Sequence, residues 1–587
     1  MSLIDTPKLM LEWLRMRFRS NDAWLIGLAL VVGALAGLLT VFQGNIAHAL
    51  QAHFYGLPQD MRLSSSVLLT PAQLLVLPLG GLALGLFTLL ARARRRALVD
   101  AVEANALHGG RMSMRDNLII SIQTILSNGA GASVGLEAAY AQMGAGIGSQ
   151  LGRILRLRRS DIRTLVGAGA GAAIGAAFGA PLTGAFYAFE IVIGAYSPST
   201  LAPVATAALA GVFVAQSMGA PSYLLTAPAG SGLMPRDYAI YTALGMVCAL
   251  AGIAIMRMVA FVERQVGQTR TPVWTRPMIG GLLMVPLVAL SPQVLSAGHG
   301  ALHFDLTSNA TLKFIALIFA LKCVASILSL GFGFRGGLFF ASLFLGTLLG
   351  TLFSQVVNLS LGFTLVNSTD ASLVGMAALA AAIVGAPMTM AMLVLEATHD
   401  FVLASAVMAA VLVASTLVRQ AFGYSFSTWR LHLRGENIKS ARDIGWIKTL
   451  NAGQMMRKDT LATPNTLTVA EFRQRFPLGS ATRVVLEDAS RRYAGIVTLA
   501  AAYADGVKGE APIADFAQIK YRMLNTDHDI GAIMKAFDAA QSDELAVVDD
   551  ERRVLGVLSE SFVRKRYVEE LEKKQREMYG ERSDEPD

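Results

Sequence analysis

Asn128-Gly-Ala-Gly-Ala-Ser-Val-Gly-Leu-Glu-Ala-Ala-Tyr-Ala-Gln-Met-Gly-Ala-Gly-Ile-Gly148 is a run of small and apolar residues that contains a single carboxylate, Glu137. A glycine-rich approach followed by helix-forming residues predicts an unwound segment that opens a helix. The N-terminus of such a helix offers unpaired backbone N–H groups and positive dipole charge. The stretch therefore predicts a place that attracts an anion.

Composition identifies the surroundings of this stretch as a membrane. The chain of 587 residues is 53% hydrophobic and only 16% charged, and it contains 55 glycines. Apolar runs long enough to span a bilayer recur along it, and several are interrupted by Gly and Pro, which predicts broken helices. The net charge of +8 resides largely in arginine clusters at 92–96 and 153–163, typical of loops beside anionic lipid. We expect no nucleic-acid partner.

Glu137 is an unusual residue for an apolar run of this kind. Ionisable residues inside a membrane are costly and usually functional. Glu137 is therefore predicted to be either a tethered carboxylate that occupies the anion site or a proton carrier. A glutamate with a purely structural partner is the alternative.

The chain is predicted to contain four segments. Residues 1–22 form an amphipathic cytoplasmic lead-in, and residues 23–440 form the membrane part. Charged residues become frequent after it, so residues 448–570 are predicted to form a small soluble α/β domain, followed by a charged tail at 571–587. The short β-rich pieces of the soluble domain are 483–486, 494–498, 545–548 and 554–558.

The membrane part repeats itself. Gly179-Ala-Pro-Leu-Thr-Gly-Ala-Phe-Tyr-Ala-Phe-Glu190 is echoed by Gly385-Ala-Pro-Met-Thr-Met-Ala-Met-Leu-Val-Leu-Glu396, 206 residues later. A glycine-rich turn that opens a helix precedes each copy, at 135–141 and at 337–343. Two halves with matching interrupted helices indicate a transporter built of repeats, with its site where the broken helices meet.

These elements resemble those of the CLC family of chloride channels and proton/chloride exchangers. The family's G-R-E-G-P-x-x-Q-x-G element is similar to residues 135–144, in which Gly135, Glu137 and Gln142 keep their places. The family's G-G-x-F-x-P element is similar to residues 336–341. The resemblance implies an all-α polytopic membrane fold of inverted repeats with broken, tilted helices. It also implies a homodimer with a separate anion pathway in each subunit, and Glu137 as the outer gate.

Two departures from the family pattern concern the side chains that contact a central anion. The family's serine-bearing loop falls at 95–99, which reads Arg-Arg-Ala-Leu-Val, so the serine and its glycines are absent. The family's pore tyrosine falls near Ser427, so that ligand is also expected to be absent. The candidate anion contacts implied by the resemblance are Gly135, Leu136, Glu137, Ala138, Leu338, Phe339, Phe340 and Ser427.

A third departure concerns protons. The inner proton-transfer glutamate of many exchangers would directly follow Glu190, where this chain has Ile191. Glu190 itself is predicted to be a structural carboxylate because it matches Glu396 in the other half. Isoleucine cannot carry a proton, which favours channel-like behaviour. The retained Glu137 keeps proton-coupled exchange open, since water can replace a side chain in a proton path.

Arg335 has two interpretations. An arginine beside a helix N-terminus could add positive potential to an anion route. It could equally snorkel, or be the partner of a buried acid such as Glu137.

The soluble tail resembles a pair of CBS motifs, the regulatory module attached to many CLC proteins. Residues 494–498 and 555–559 match the two strand ends of that module. Nucleotide-binding copies carry an aspartate three residues later, where this chain has Ala501 and Phe562. Nucleotide binding is therefore doubtful, and a dimerising or mechanical role is at least equally expected.

The sequence thus predicts transmembrane transport of chloride or a similar small anion, gated by Glu137 and channel-like or weakly proton-coupled. A proton-coupled chloride antiporter with a non-standard inner proton path is the first alternative, and a non-transporting receptor or scaffold signalling through the tail is the second. No enzyme is predicted, because the tail has no nucleophile–base pair, metal-ligand cluster or phosphate loop. No cofactor or metal is expected. The predicted location is the inner membrane, with both termini cytoplasmic.

Overall fold

The computed structural model describes residues 22–58, 61–65, 69–91, 98–220, 232–302, 311–433 and 451–579. Contacts within the chain divide it into two compact units, Met1–Asp443 and Ile444–Asp587. The predicted lead-in lies outside the described residues except for Asp22. The predicted boundaries at 440 and 448, and the end of the charged tail from 580, also lie outside them.

The described residues of the first unit form helices joined by turns and loops. Seven of its helical segments are long and apolar enough to cross a membrane. The helices are α1 (Asp22–Tyr55), α2 (Pro71–Leu74), α3 (Val76–Ala91), α4 (Ala101–Leu107), α5 (Met114–Gly129), α6 (Glu137–Ile154), α7 (Arg159–Phe178), α8 (Pro181–Tyr187), α9 (Pro198–Ser217), α10 (Pro235–Gln268), α11 (Arg276–Leu290), α12 (Leu312–Gly331), α13 (Phe339–Leu361), α14 (Ser368–Val384), α15 (Pro387–Thr398), α16 (Phe401–Ala421) and α17 (Phe426–Leu433). The predicted all-α, multi-pass membrane fold is confirmed.

Glycine and proline end and restart the helices at matching places in the two halves. α7 ends at Gly179 and α14 at Gly385, both in the left-handed conformation, with φ of 70° and 82°. That conformation is strained for other residues and closes a helix. Pro181 and Pro387 then occupy the first positions of α8 and α15, where a missing N–H costs nothing. The predicted broken helices are thus produced by a glycine that ends one helix and a proline that begins the next.

Close helix packing is also repeated in the two halves. A Cβ on Gly144 of α6 would overlap the Gly169 carbonyl of α7, and a Cβ on Gly346 of α13 would overlap the Gly375 carbonyl of α14. Backbones can approach this closely only where both helices carry small residues, which is the usual way that helices associate in lipid.

The second unit contains two three-stranded sheets of the same design. Each sheet pairs its first two strands in parallel and its last two antiparallel. The elements are α18 (Ala452–Met455), β1 (Ala462–Pro464), α19 (Val469–Arg475), β2 (Arg483–Glu487), β3 (Tyr493–Thr498), α20 (Leu499–Ala502), β4 (Leu524–Asn525), α21 (Ile530–Ala540), β5 (Glu544–Val548), β6 (Val554–Ser559) and α22 (Glu560–Tyr579). The predicted α/β character and all four predicted strands are confirmed.

The two sheets are an internal duplication. Arg483 pairs with Thr498 in the first sheet and Glu544 with Ser559 in the second, so equivalent positions are 61 residues apart. A bulge occurs at the same place in both antiparallel pairs. Side chains from the two sheets share one apolar cluster, so the sheets face each other. Its members are Val485, Tyr493, Ile496, Ala546, Val548 and Val557.

Candidate functional site

Two glycine loops meet inside the first unit and bring two helix N-termini together. The Gly135 N–H donates to the Gly337 carbonyl at 2.9 Å, and the Gly337 N–H donates to the Gly135 carbonyl at 3.3 Å. α6 begins at Glu137 and α13 at Phe339, each two residues beyond its glycine. The positive ends of both helices therefore converge on one place.

The first turns of these helices have backbone N–H groups to offer. Leu136 and Leu338 are the N-cap residues, and neither side chain caps its helix by a hydrogen bond. The first N–H groups of a helix have no partner within the helix itself. Such a pair of N-termini suits an anion that has left water, because each backbone donor replaces a lost water molecule.

The Glu137 carboxylate occupies this place. Glu137 is 5% exposed, and its carboxylate accepts hydrogen bonds from the backbone N–H groups of Glu137 itself and of Phe340. Oε2 has no hydrogen-bond partner among the described residues. The carboxylate lies against Gly135, where a Cβ would overlap Oε2, and a Cβ on Gly337 would lie 3.7 Å from the same oxygen. A tethered carboxylate thus bridges the two helix ends.

Aromatic side chains surround the start of α13. The Phe178 ring lies 5.1 Å from that of Phe339 and 6.0 Å from that of Phe340. The His299 ring stacks on Phe340 at 3.6 Å, and the Tyr187 ring meets Phe339 edge-on at 6.0 Å. The first two residues of α13 are thus packed against aromatic rings from other parts of the unit.

Seven of the eight predicted anion contacts come together here, from Gly135 to Ala138 and from Leu338 to Phe340. Ser427 lies in α17, and its side chain is outside the described part of the structure. Arg335 directly precedes the second glycine loop, and its backbone N–H donates to the Ser127 hydroxyl at 2.9 Å.

The loop at 95–99 that departs from the family pattern is only partly described, since 92–97 lie outside the described residues. The adjoining start of α4 is closed by side chains. The Asp100 carboxylate accepts the Glu103 N–H at 2.8 Å and caps α4. The Gln142 side chain accepts the Ala101 N–H at 3.0 Å. Those N-terminal donors of α4 are therefore engaged within the protein.

Glu190 is a structural carboxylate, as predicted. It accepts hydrogen bonds from the Met388 N–H at 3.0 Å, the Thr389 N–H at 2.9 Å and the Thr389 hydroxyl at 2.7 Å. Glu396 accepts the same set from Leu182 and Thr183. Ile191, next to Glu190, is 8% exposed.

The sequence predicted Gly337 at the start of the second helix N-terminus, but it did not predict the pairing of Gly337 with Gly135, and it did not identify Tyr187 as a site residue. Gly337 has its role through pairing with Gly135, which only the fold brings about. Tyr187 was detectable in principle, because the equivalent position of the second repeat, 206 residues later, is Leu393. A polar group in one copy that the other copy lacks indicates a local function.

The fold and the site define a multi-pass membrane protein of the CLC anion-transport class. Residues 80–419, more than half of the chain, match the family of voltage gated chloride channels. The chain therefore belongs to that family, and the resemblance predicted from its glycine-rich elements is confirmed.

Individual relatives have low sequence identity to this chain, but the matches cover most of its length. A putative chloride channel protein, ClcB-like, of Ralstonia nicotianae is 29% identical over 384 residues, which are 64% of this chain and 89% of the relative. The crystal structure of a slow cyanobacterial Cl⁻/H⁺ antiporter matches with a TM-score of 0.61 at 21% identity, over 70% of this chain and 97% of that one. The crystal structure of a eukaryotic CLC transporter matches with a TM-score of 0.59 at 16% identity, over 94% of this chain and 98% of that one. Both of these structures therefore have the same fold as this chain.

Proposed function

We propose that this protein conducts chloride or a similar small anion past Glu137, in a channel-like or weakly proton-coupled manner. The observation that carries the proposal is the Glu137 carboxylate, which is held between the N-termini of α6 and α13 by the Phe340 N–H. A carboxylate and a chloride ion compete for the same backbone donors. The ion passes when the carboxylate is protonated or swings away.

The donors at this place are mainly backbone groups, contributed by 135–138 and 338–340. Backbone N–H groups at helix ends stabilise any small anion, because they respond to its charge and not to its shape. We therefore name small monovalent anions as the class, with chloride as the member favoured by the names of the relatives.

Weak proton coupling is supported by the residues beside Glu190. Ile191 has no group that could carry a proton, and Glu190 is committed to three hydrogen bonds with the other repeat. A proton that reached Glu137 from this side would need water or another side chain. Antiport with a non-standard inner path is the second candidate, favoured by the ionisable side chain retained at Glu137.

The second unit is proposed to be a CBS pair that regulates or dimerises the protein without a nucleotide. The duplication of β1–β3 in β4–β6 and the apolar cluster shared by the two sheets support a tandem module. Ala501 and Phe562 offer no carboxylate for a ribose. We further propose a homodimer in the inner membrane with cytoplasmic termini, and no enzymatic activity.

The test is anion efflux from liposomes that contain the purified protein, with external pH recorded at the same time. Glu137→Gln removes the charge that competes with the anion. We expect chloride efflux that no longer changes between neutral and mildly acidic pH, with no proton movement. Glu263→Gln, an exposed carboxylate of α10, is the matched control and should behave as the unsubstituted protein.

The outcomes separate the candidates. Efflux and pH dependence unchanged by Glu137→Gln would refute the gate. Chloride-driven proton movement in the unsubstituted protein, lost in Glu137→Gln, would establish the antiporter. A folded protein that moves no small anion would favour the non-transporting receptor.

A further inference from the structure

Tyr187 stands at an irregular point of the first repeat. It is the last residue of α8, and a π-helical turn, Ala188–Ile193, continues directly from it. Single π turns next to α-helices are frequent at functional sites. Its ring packs edge-on against Phe339, the first residue of α13. Tyr187 therefore lies beside the proposed anion site at the N-termini of α6 and α13, and it belongs to a third helix, α8.

The Tyr187 hydroxyl lies near the charges of the site. It is within electrostatic range of the carboxylates of Glu137 and Asp100. Among the described residues it makes no hydrogen bond to the protein. Tyr187 is half-buried, and a tyrosine hydroxyl at such a position normally hydrogen-bonds to a partner, which here is water or a ligand. The hydroxyl is therefore available to a ligand that enters the site.

The second repeat shows independently that the fold does not need this hydroxyl. The counterpart of Tyr187 in the second half is Leu393, which is 4% exposed and packs in the core. An apolar side chain thus satisfies the packing at this position of the fold. The hydroxyl of Tyr187 adds nothing that the fold requires.

The proposed anion site between α6 and α13 also lacks the side-chain donors that the family pattern would provide. The serine and the tyrosine that the family pattern would provide are absent from 95–99 and from Ser427. Asp100 is engaged in capping α4 through the Glu103 N–H, so its charge is partly offset. An anion next to Glu137 would meet backbone donors at α6 and α13 and still lack a side-chain donor.

We infer that the Tyr187 hydroxyl donates a hydrogen bond to the transported anion beside Glu137, and so supplies the side-chain ligand from a different helix. The inference rests on the proposed anion pathway and names a further ligand within it. A hydroxyl that donates to an anion makes a charge-assisted hydrogen bond, which is stronger than a neutral one. Tyr187→Phe removes this donor and keeps the ring against Phe339.

Chloride binding, measured by isothermal titration calorimetry on the full chain in detergent, tests the inference apart from transport. The measurement is made on Tyr187→Phe alone and on Tyr187→Phe combined with Glu137→Gln, where no carboxylate competes. We expect the dissociation constant for chloride to rise about tenfold or more, relative to the unsubstituted protein for the single variant and relative to Glu137→Gln for the double variant. A rise of this size corresponds to the loss of a hydrogen bond to a charged group. Tyr241→Phe, at a buried tyrosine of α10, is the control and should leave the dissociation constant unchanged.

An unchanged chloride affinity in Tyr187→Phe would overturn the inference. If that variant also lost proton movement selectively in the liposome assay, Tyr187 would instead be part of a proton route.

Crystals of the unsubstituted protein soaked in bromide provide a second measurement that needs no variant. We expect an anomalous peak within hydrogen-bonding distance of the Tyr187 hydroxyl, and a bromide peak away from it would refute the inference. If Glu137→Gln left chloride efflux unchanged, the gate would be refuted. The ratio of chloride dissociation constants between the Tyr187 variants and their parent proteins could still be interpreted.

Discussion

Glu190 and Glu396 stand 206 positions apart, and each carboxylate accepts hydrogen bonds from the start of the helical segment that leads to the other, through the π turn in the case of Glu190. Glu396 binds the N–H groups of Leu182 and Thr183 at 2.7 and 2.8 Å, and Glu190 binds the corresponding groups of the second half. The exchange is symmetric down to the threonine hydroxyls, both at 2.7 Å. The two halves are thus joined by a pair of carboxylates at the positive ends of two short helices.

Removing either carboxylate should destabilise the first unit to a similar extent. Glu190→Ala and Glu396→Ala each leave two N–H groups and one hydroxyl without their acceptor. We expect each to lower the free energy of unfolding by about 1.5–3 kcal/mol, the usual range for hydrogen bonds to a charged group. The measurement is the thermal unfolding of the purified protein in detergent.

The control for this pair is Glu263→Ala, an exposed carboxylate of α10, which should leave the unfolding temperature unchanged. A large loss in one variant and none in the other would show that the two contacts are not equivalent.

Gly135→Ala should open the pathway. A Cβ at Gly135 would overlap Glu137 Oε2 and lie 2.8 Å from Oε1, so the carboxylate must leave its position between the helix ends. The backbone at Gly135 is outside the left-handed region, so alanine is not strained there. We expect chloride efflux from liposomes to rise severalfold at neutral pH and to respond less to acid.

Two other glycines calibrate this result. A Cβ on Gly337 would lie 3.7 Å from Glu137 Oε2, which is ordinary contact, so Gly337→Ala should have a small effect. Gly27→Ala meets nothing within 4 Å and should have none. Equal increases in chloride efflux in all three variants would show that displacement of the Glu137 carboxylate does not cause the increase.

Much of the fold was predictable because it is encoded locally. Glycine and proline mark where helices end and begin, so Gly179, Pro181 and their counterparts predict the broken helices and the matching halves. Short runs rich in β-branched and apolar residues located β2, β3, β5 and β6. The position of Glu137 as a lone carboxylate in a run of small residues is enough to predict a functional role for it.

The remainder depends on contacts between distant parts of the chain. The Gly135–Gly337 pairing joins residues 202 positions apart, and no local pattern reports it. Tyr187 was missed because an aromatic residue in an apolar helix usually indicates packing, and its free hydroxyl becomes visible only beside Glu137 and Phe339. The roles of Ser427 and Arg335 stay predictions.

Lys322 is a buried residue of α12 whose effect on stability can be predicted from its contacts. Its Nζ donates to the carbonyls of Val294 and Ser296 at 3.0 and 2.7 Å. Ser296 in turn donates its N–H to the Gly131 carbonyl, in the loop that leads to Glu137. Lys322→Met leaves two buried carbonyls unpaired, so we expect a loss of about 2 kcal/mol or more in the free energy of unfolding.

The same helix provides the comparison for Lys322. Lys313 is exposed near the start of α12, and Lys313→Met should change the unfolding temperature little. A Lys322→Met protein as stable as the unsubstituted one would mean that other donors reach both carbonyls.

Acid should loosen the start of α19 in the second unit, for a reason that lies in Glu471. The backbone N–H and then the hydroxyl of Thr468 donate to its carboxylate, at 2.8 and 2.9 Å, and these bonds lower the pKa of Glu471 below its usual value. The Thr468 hydroxyl accepts the Glu471 N–H in return, which completes a capping box. A carboxyl whose pKa is lower in the folded state stabilises that state fully above the unfolded pKa, and the stabilisation is lost as the pH falls through the folded pKa.

Hydrogen–deuterium exchange of residues 468–476 in the full chain, analysed by mass spectrometry, measures this loss. At neutral pH we expect Glu471→Gln to exchange faster than the unsubstituted protein, because the neutral amide binds the Thr468 donors more weakly than a carboxylate does. As the pH falls below the folded pKa, the unsubstituted glutamate also becomes neutral, so the difference between the two proteins should shrink toward zero. Glu510→Gln, at an exposed position of the same unit, should show no such pH-dependent difference. A difference that stays constant into acid would mean that the charge of Glu471 does not stabilise the helix start, and that the shape of the side chain alone accounts for the capping.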